Sequence, residues 1–236
     1  MLLPLLLASL AMQSRAVVLT YHDVIPERGK DAVWFDCTQT ELRDQLAWLK
    51  EQGANFISTE ELYKHLTTST PFPDKAICIT FADNYKGFMR YGWSIIEKME
   101  VPVTMFAHTG FVGNRSGREK MSWEDLLVLS KSPRFRVGSQ TVSHPADLRK
   151  LSREQVLKEF TDSWESLKTN LENPVRFLAY PNGKWNDATA EIANEAGYLM
   201  AFTEEQKPVR VGVDLHKVPR YVHTKYREAW QDAFGK

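Results

Sequence analysis

Short apolar runs rich in β-branched residues alternate with amphipathic stretches along most of the chain. Ala16 to Tyr21 (AVVLTY) reads as a buried strand and runs into a polar loop holding Pro26 and Gly29. Thr38 with Glu41 three residues on has the spacing of a capping box, and Leu42, Leu46 and Leu49 carry the helix it opens toward Gly53. Phe56 and Ile57 make a short strand, Ser58 with Glu61 caps a helix bearing Leu62 and Leu66, and Ala76 to Phe81 (AICITF) is again strand-like. A helix over Phe88 to Met99 and a strand over Val101 to Phe106 follow, with Pro102 confined to the strand's start or edge. Ser122 with Asp125 opens a helix through Leu129, and Phe135 to Val137 is the next strand. Ser152 with Gln155 begins the longest helical pattern, whose Val156, Phe160, Trp164 and Leu167 share one face. Val175 to Ala179, Tyr198 to Phe202 and Leu215 to Tyr221 complete the strands, with a helix over Ala188 to Ala196 stopping at Gly197.

Roughly seven or eight strand-helix units with no Pro/Ser/Gly linker between them predict one closed or nearly closed α/β barrel. Periodicity leaves an open doubly wound sheet as the alternative. The chain of 236 residues suits a single domain, and the partition read from it is a signal-like leader over 1–15 and one domain over 16–236. The apolar stretch from Met1 to Met12 is too short to span a bilayer. It points to a secreted, periplasmic or envelope protein, with a cytoplasmic one as the alternative. Thirty Lys plus Arg balance thirty Asp plus Glu, so no net field draws the chain to nucleic acid. Cys37 and Cys78 allow one disulfide at most.

In either α/β architecture, chemistry gathers at the carboxyl ends of the strands. Four segments place polar residues there: Tyr21 to Asp23, Asp83 with Asn84, Gln140 to His144, and Tyr180 to Gly183. A carboxylate and an imidazole, Asp83 and His144, are ligand types of a catalytic zinc ion. Read singly, each has a plainer role, Asp83 as a helix cap or loop carboxylate and His144 as a packed ring before Pro145.

The ordered motifs TYHDV (20–24), ITFADNY (79–85), VGSQTVSHPADLRKLS (137–152) and FLAYPNGKWN (177–186) resemble the polysaccharide deacetylase family, the NodB-homology domain of carbohydrate esterase family 4. The resemblance runs from Ala16 to about Tyr221. It implies a distorted (β/α) barrel, often of seven strands, and a divalent metal, zinc foremost, held by one Asp and two His. It also implies removal of acetyl groups from N-acetylglucosamine-containing glycans. Asp83 and His144 match two of the ligands. The pattern places the catalytic base where this chain has Ala82 and a ligand imidazole where it has Gln140, an amide that holds zinc weakly through its oxygen. Ala179 stands where many members have an Arg that orients the base, and Tyr180 matches a residue whose backbone N–H stabilises the oxyanion.

Two outcomes compete. With a base and a ligand both replaced, the favoured expectation is a glycan-binding pseudoenzyme with lost or much reduced turnover and a metal bound weakly or not at all. The alternative is an active, divergent metal-dependent deacetylase with a recruited base, for which His22 and Asp23 stand at the end of the first strand and His22 could also serve as a third ligand. An engineered inactive variant would account for Ala82 but not for Asn84 or Gln140. Trp34, Tyr85, Tyr180 and Trp185 are the expected sugar-facing residues under either outcome, although a chain with seven Trp buries some of them in its core.

Overall fold

The apolar runs become strands buried on both faces, as a parallel sheet covered by helices requires. In the computed structural model, which describes residues 15–235, the leader expected over 1–15 lies outside the described residues except for Arg15. The strands in chain order are β1 (Arg15–Tyr21), β2 (Val24–Ile25), β3 (Cys37–Thr38), β4 (Asn55–Ile57), β5 (Ala76–Ala82) and β6 (Val103–Ala107). They continue as β7 (Phe135–Ser139), β8 (Phe177–Ala179), β9 (Met200–Phe202), β10 (Val209–Arg210) and β11 (Tyr221–Val222).

The main sheet runs β10-β1-β5-β6-β7-β8-β9, with β4 added beside β5 and β11 beside β1. Every pairing in it is parallel except β10 against β1. Val218 bridges Phe202, and Tyr221 pairs with Leu19, so residues 218–222 lace the β9 margin back toward β1. The sheet therefore curls into a distorted, incompletely closed (β/α) barrel rather than opening as a doubly wound sheet.

Alternation divides the side chains of the central strands. Val17, Leu19, Tyr21, Ile77, Ile79 and Phe81 join Leu42, Leu46, Leu49, Phe88 and Leu126 in one cluster beneath the helices. Ala16, Val18, Ala76 and Cys78 pack with Phe106, Ala179 and Phe202 on the opposite face. Cys37 and Cys78 are both free and buried, so the possible disulfide is not formed. The capping boxes read at Thr38, Ser58, Ser122 and Ser152 all form, each side chain accepting from the backbone three residues on.

Two stretches differ from the periodic reading. The strand expected over Leu215 to Tyr221 shrinks to β11, because Asp214 turns the chain by accepting from the His216 N–H through its side chain and from the Lys217 N–H through its carbonyl. The helix expected from Phe88 opens with one π-helical turn over Phe88–Gly92 before the regular Trp93–Lys98 segment. No helix of the described residues is long and apolar enough to cross a membrane.

Candidate metal centre

Five strands of the main sheet each deliver a polar residue at the position directly after their last residue. His22 follows β1, Asp83 follows β5, His108 follows β6, Gln140 follows β7 and Tyr180 follows β8. His22, Asp83, Gln140 and His144 line a cavity of about 250 Å³ together with Trp34, Phe35, Asn182 and Glu204.

Within this group Asp83, His108 and His144 converge, with one ligand atom from each lying within 4.8 Å of the others. Asp83 Oδ1 is 3.3 Å from His108 Nε2 and 3.7 Å from His144 Nε2. The two imidazole rings are 4.8 Å apart between centroids. Asp83 and His144 hold left-handed backbone conformations, φ 68° and 50°, which cost a non-glycine residue energy and recur where a site fixes its side chains. Asp83 Oδ1 and both ring nitrogens of His108 are buried and make no hydrogen bond. Leaving such atoms unpaired costs about 1–3 kcal/mol each, so this cluster is built for a partner that the protein itself does not provide. A divalent metal fits. Tetrahedral ligands at roughly 2.0–2.2 Å stand about 3.4 Å from one another, close to the two Asp83 separations.

The protonation states suit that partner. Burial alone would raise the Asp83 carboxyl, but the imidazoles of His108, His22 and His144 hold it well below the usual carboxylate range. Burial lowers His22 and His144 below the usual histidine value against the opposing pull of Asp83, leaving both rings neutral near pH 7. An anionic carboxylate and neutral imidazoles are the forms that coordinate a metal.

This geometry overturns the expectation of lost catalysis. Gln140 and Ala82 stand in the chain as read, but they do not dismantle the metal site, because the second imidazole comes from His108. With an Asp and two His in place, the label of pseudoenzyme does not hold. Gln140 supports the ligands instead: its side-chain oxygen accepts from the Asp83 N–H at 2.8 Å, and its amide nitrogen faces His144 Nε2 at 3.3 Å. His22 lines the same cavity but lies outside the three-residue cluster.

The other expected site residues divide. Trp34 lines the cavity and is 64% exposed. Asp23 is not among the cavity walls: it is buried, pairs with Arg118 at 3.4 Å and packs so closely on Gly87 that a Cβ there would sit 2.1 Å from its Oδ1. Tyr180 is no oxyanion donor in this arrangement, since its N–H donates to the Phe202 carbonyl and its hydroxyl to the His216 carbonyl. Trp185 stacks on Tyr180, and Tyr85 is buried between Phe35 and the ammonium of Lys120. Sequence reasoning missed His108 and Glu204. Both follow runs read as strands, Val101 to Phe106 and Tyr198 to Phe202, so the strand-end rule held the signal for each.

A family model described as polysaccharide deacetylase matches residues 69–201, more than half of the chain. The chain is 24% identical over 228 residues to a poly-beta-1,6-N-acetyl-D-glucosamine N-deacetylase of Staphylococcus aureus, a match covering 88% of this chain and 78% of that protein. The Staphylococcus epidermidis protein of the same name is 26% identical over 235 residues with the same coverage. Among solved structures, IcaB from Ammonifex degensii superposes with a TM-score of 0.82 at 24% identity, covering 93% of this chain and 97% of that one. The Streptococcus pyogenes deacetylase PplD, solved with acetate, gives 0.80 at 23%, covering 91% and 97%. At these identities the two superpositions speak for the fold.

Proposed function

The chain belongs to the polysaccharide deacetylase family, and from that premise we propose that it is an active, metal-dependent deacetylase that hydrolyses the acetamide of N-acetylglucosamine units in a glycan. The observation that carries this reading is the convergence of Asp83, His108 and His144 on one point, with buried ligand atoms left unpaired. These three residues would hold the metal, and their N/O donor set and spacing favour zinc. When bound, such an ion polarises the acetyl carbonyl and makes a water more acidic.

The chain's own residues supply the rest. Gln140 fixes the Asp83 backbone and faces His144, so both ligands keep their orientation. His22 lines the cavity with its Nδ1 buried and without a partner, which supports assigning it the proton transfer to the departing amine nitrogen. Trp34 presents an exposed aromatic face beside the cavity, where the apolar side of a pyranose ring can rest. The two staphylococcal relatives, named for a β-1,6-linked polymer, favour that linkage over β-1,4.

The test is acetate release by protein supplied with Zn²⁺ or Co²⁺, measured on β-1,6-linked and β-1,4-linked N-acetylglucosamine oligomers in parallel. Turnover is expected on both or on the β-1,6 series alone, with the higher kcat/KM on β-1,6. Absence of acetate from every substrate refutes the reading, and a preference for β-1,4 refutes the linkage.

A further inference from the structure

Arg220 is fully buried, and its charge is only partly answered. Its Nε donates to the Thr203 carbonyl at 3.0 Å and its Nη1 to Thr20 Oγ1 at 3.3 Å, while Nη2 makes no hydrogen bond. The guanidinium lies over the Phe106 and Phe202 rings at 5.5 and 5.8 Å. Ala82 is the register partner of Phe106 and, by strand alternation, points to the same side as Cys78 and Thr80. A buried cation requires an anion nearby. The carboxylate that faces it is Glu204, with Oε1 3.8 Å from Nη2.

Glu204 also forms part of the wall of the cavity that holds His22, Asp83 and His144. The turn after β8 makes room for it. Gly183 has φ 62°, and a Cβ at that position would come within 2.6 Å of the Glu204 Cβ. One carboxylate thus stands between the buried guanidinium and the open space above the metal ligands.

We propose that Glu204, oriented by Arg220, is the general base that takes a proton from the attacking water in place of the carboxylate missing at Ala82. This rests on the deacetylase reading and completes its proton balance. The water oxygen bonds to the acetyl carbon as one of its protons moves to Glu204. The C–N bond then breaks with its electron pair on nitrogen, and that proton is handed through His22 to the amine. The second water proton leaves with acetic acid.

The experiment compares wild type, E204Q and the double variant A82D/E204Q for acetate release, with Co²⁺ binding followed by calorimetry on each. In E204Q, kcat is expected to fall by about 10²–10⁴-fold with KM little changed, because a general base contributes on that scale. Co²⁺ affinity is expected to hold, since Glu204 is not a ligand. A82D in the E204Q background is expected to recover at least about tenfold in kcat, because it returns a carboxylate to the position where the family pattern places the base. E204Q within tenfold of wild type, a loss of Co²⁺ affinity, or no gain from A82D overturns the assignment while leaving an active wild type as a deacetylase. A wild type that binds Co²⁺ and releases no acetate refutes the deacetylase reading, and the base falls with it.

Discussion

Replacing His108 by Ala separates a complete metal site from an incomplete one. Both ring nitrogens of His108 are buried without hydrogen bonds, and the ring packs edge-on against Phe111 at 5.4 Å. In metal-free protein the variant loses that packing but also loses two unpaired polar atoms worth about 1–3 kcal/mol each, so its stability should stay near that of wild type. With metal the two proteins diverge. Removing a group that only supports a ligand costs roughly 10–100-fold in affinity, so removing a ligand should cost at least about 100-fold. At free Zn²⁺ of about 100 times the wild-type Kd, binding stabilises wild type by about 2.7 kcal/mol, whereas a 100-fold weaker variant gains only about 0.4 kcal/mol. For a chain of this size the difference corresponds to about 5–9 °C in the Zn²⁺-induced rise of Tm, readable by differential scanning calorimetry with and without metal. Q140H serves as the contrasting variant. It should gain no affinity, because the second imidazole position is already filled and the Asp83 N–H keeps only the Phe106 carbonyl as acceptor. A Zn²⁺-induced shift unchanged in H108A, or one enlarged in Q140H, would refute the three-residue site.

Two further expectations come from single side chains. Burial raises Asp23 to about 6, against the downward pull of Arg118 and with Asp36 adding to the rise. The native state therefore keeps a proton that the unfolded chain releases near pH 4, so this group's stabilising contribution is full below that pH and is lost as pH rises to about 6. D23N should flatten that decline by up to about 3 kcal/mol in urea melts between pH 4 and 7, and an unchanged slope would count against the shift. W34A should raise KM about fivefold, the equivalent of about 1 kcal/mol of lost ring contact, with kcat and Zn²⁺ affinity unchanged. A loss confined to kcat would move Trp34 from holding the sugar to shaping the ligands.

The fold was legible where its causes are local. Capping boxes need only a hydroxyl and an acid or amide three residues apart, and the buried strands are continuous apolar runs, so Thr38 with Glu41 and AICITF carry their structure within a few residues. The segments that periodicity missed owe their form to distant partners. β2 and β3 exist because Val24 and Ile25 meet Cys37 and Thr38 across a loop, and β10 because Arg210 and Val209 close on the beginning of β1. Two-residue strands carry no period for a sequence to display.

Asp83 and His144 were legible both by position and by motif, whereas His108 carried a signal of position alone, and the reason lies in the sheet. Along the chain, positions 108 and 140 are unrelated, so a Gln where the family pattern expects a ligand imidazole reads as a loss. Across the sheet they are neighbours: Ala107 and Ser139 are register partners, the Gln140 N–H donates to the Ala107 carbonyl at 2.8 Å, and the Thr109 N–H donates to the Thr141 carbonyl at 3.0 Å. Adjacent strands lie about 4.8 Å apart, so an imidazole moved from the end of β7 to the end of β6 can still reach the point that Asp83 and His144 face. A metal ion requires donor type and geometry, not the strand that supplies the donor, and the amide left at 140 becomes a support for its neighbours. The same reasoning applies to the carboxylate absent at 82, the last residue of β5, and present at 204, in the loop after β9, where it faces the buried guanidinium of Arg220. In a barrel whose strand ends converge, a functional group can reach the same point from a neighbouring strand, and a motif read in one dimension counts that arrangement as a deletion.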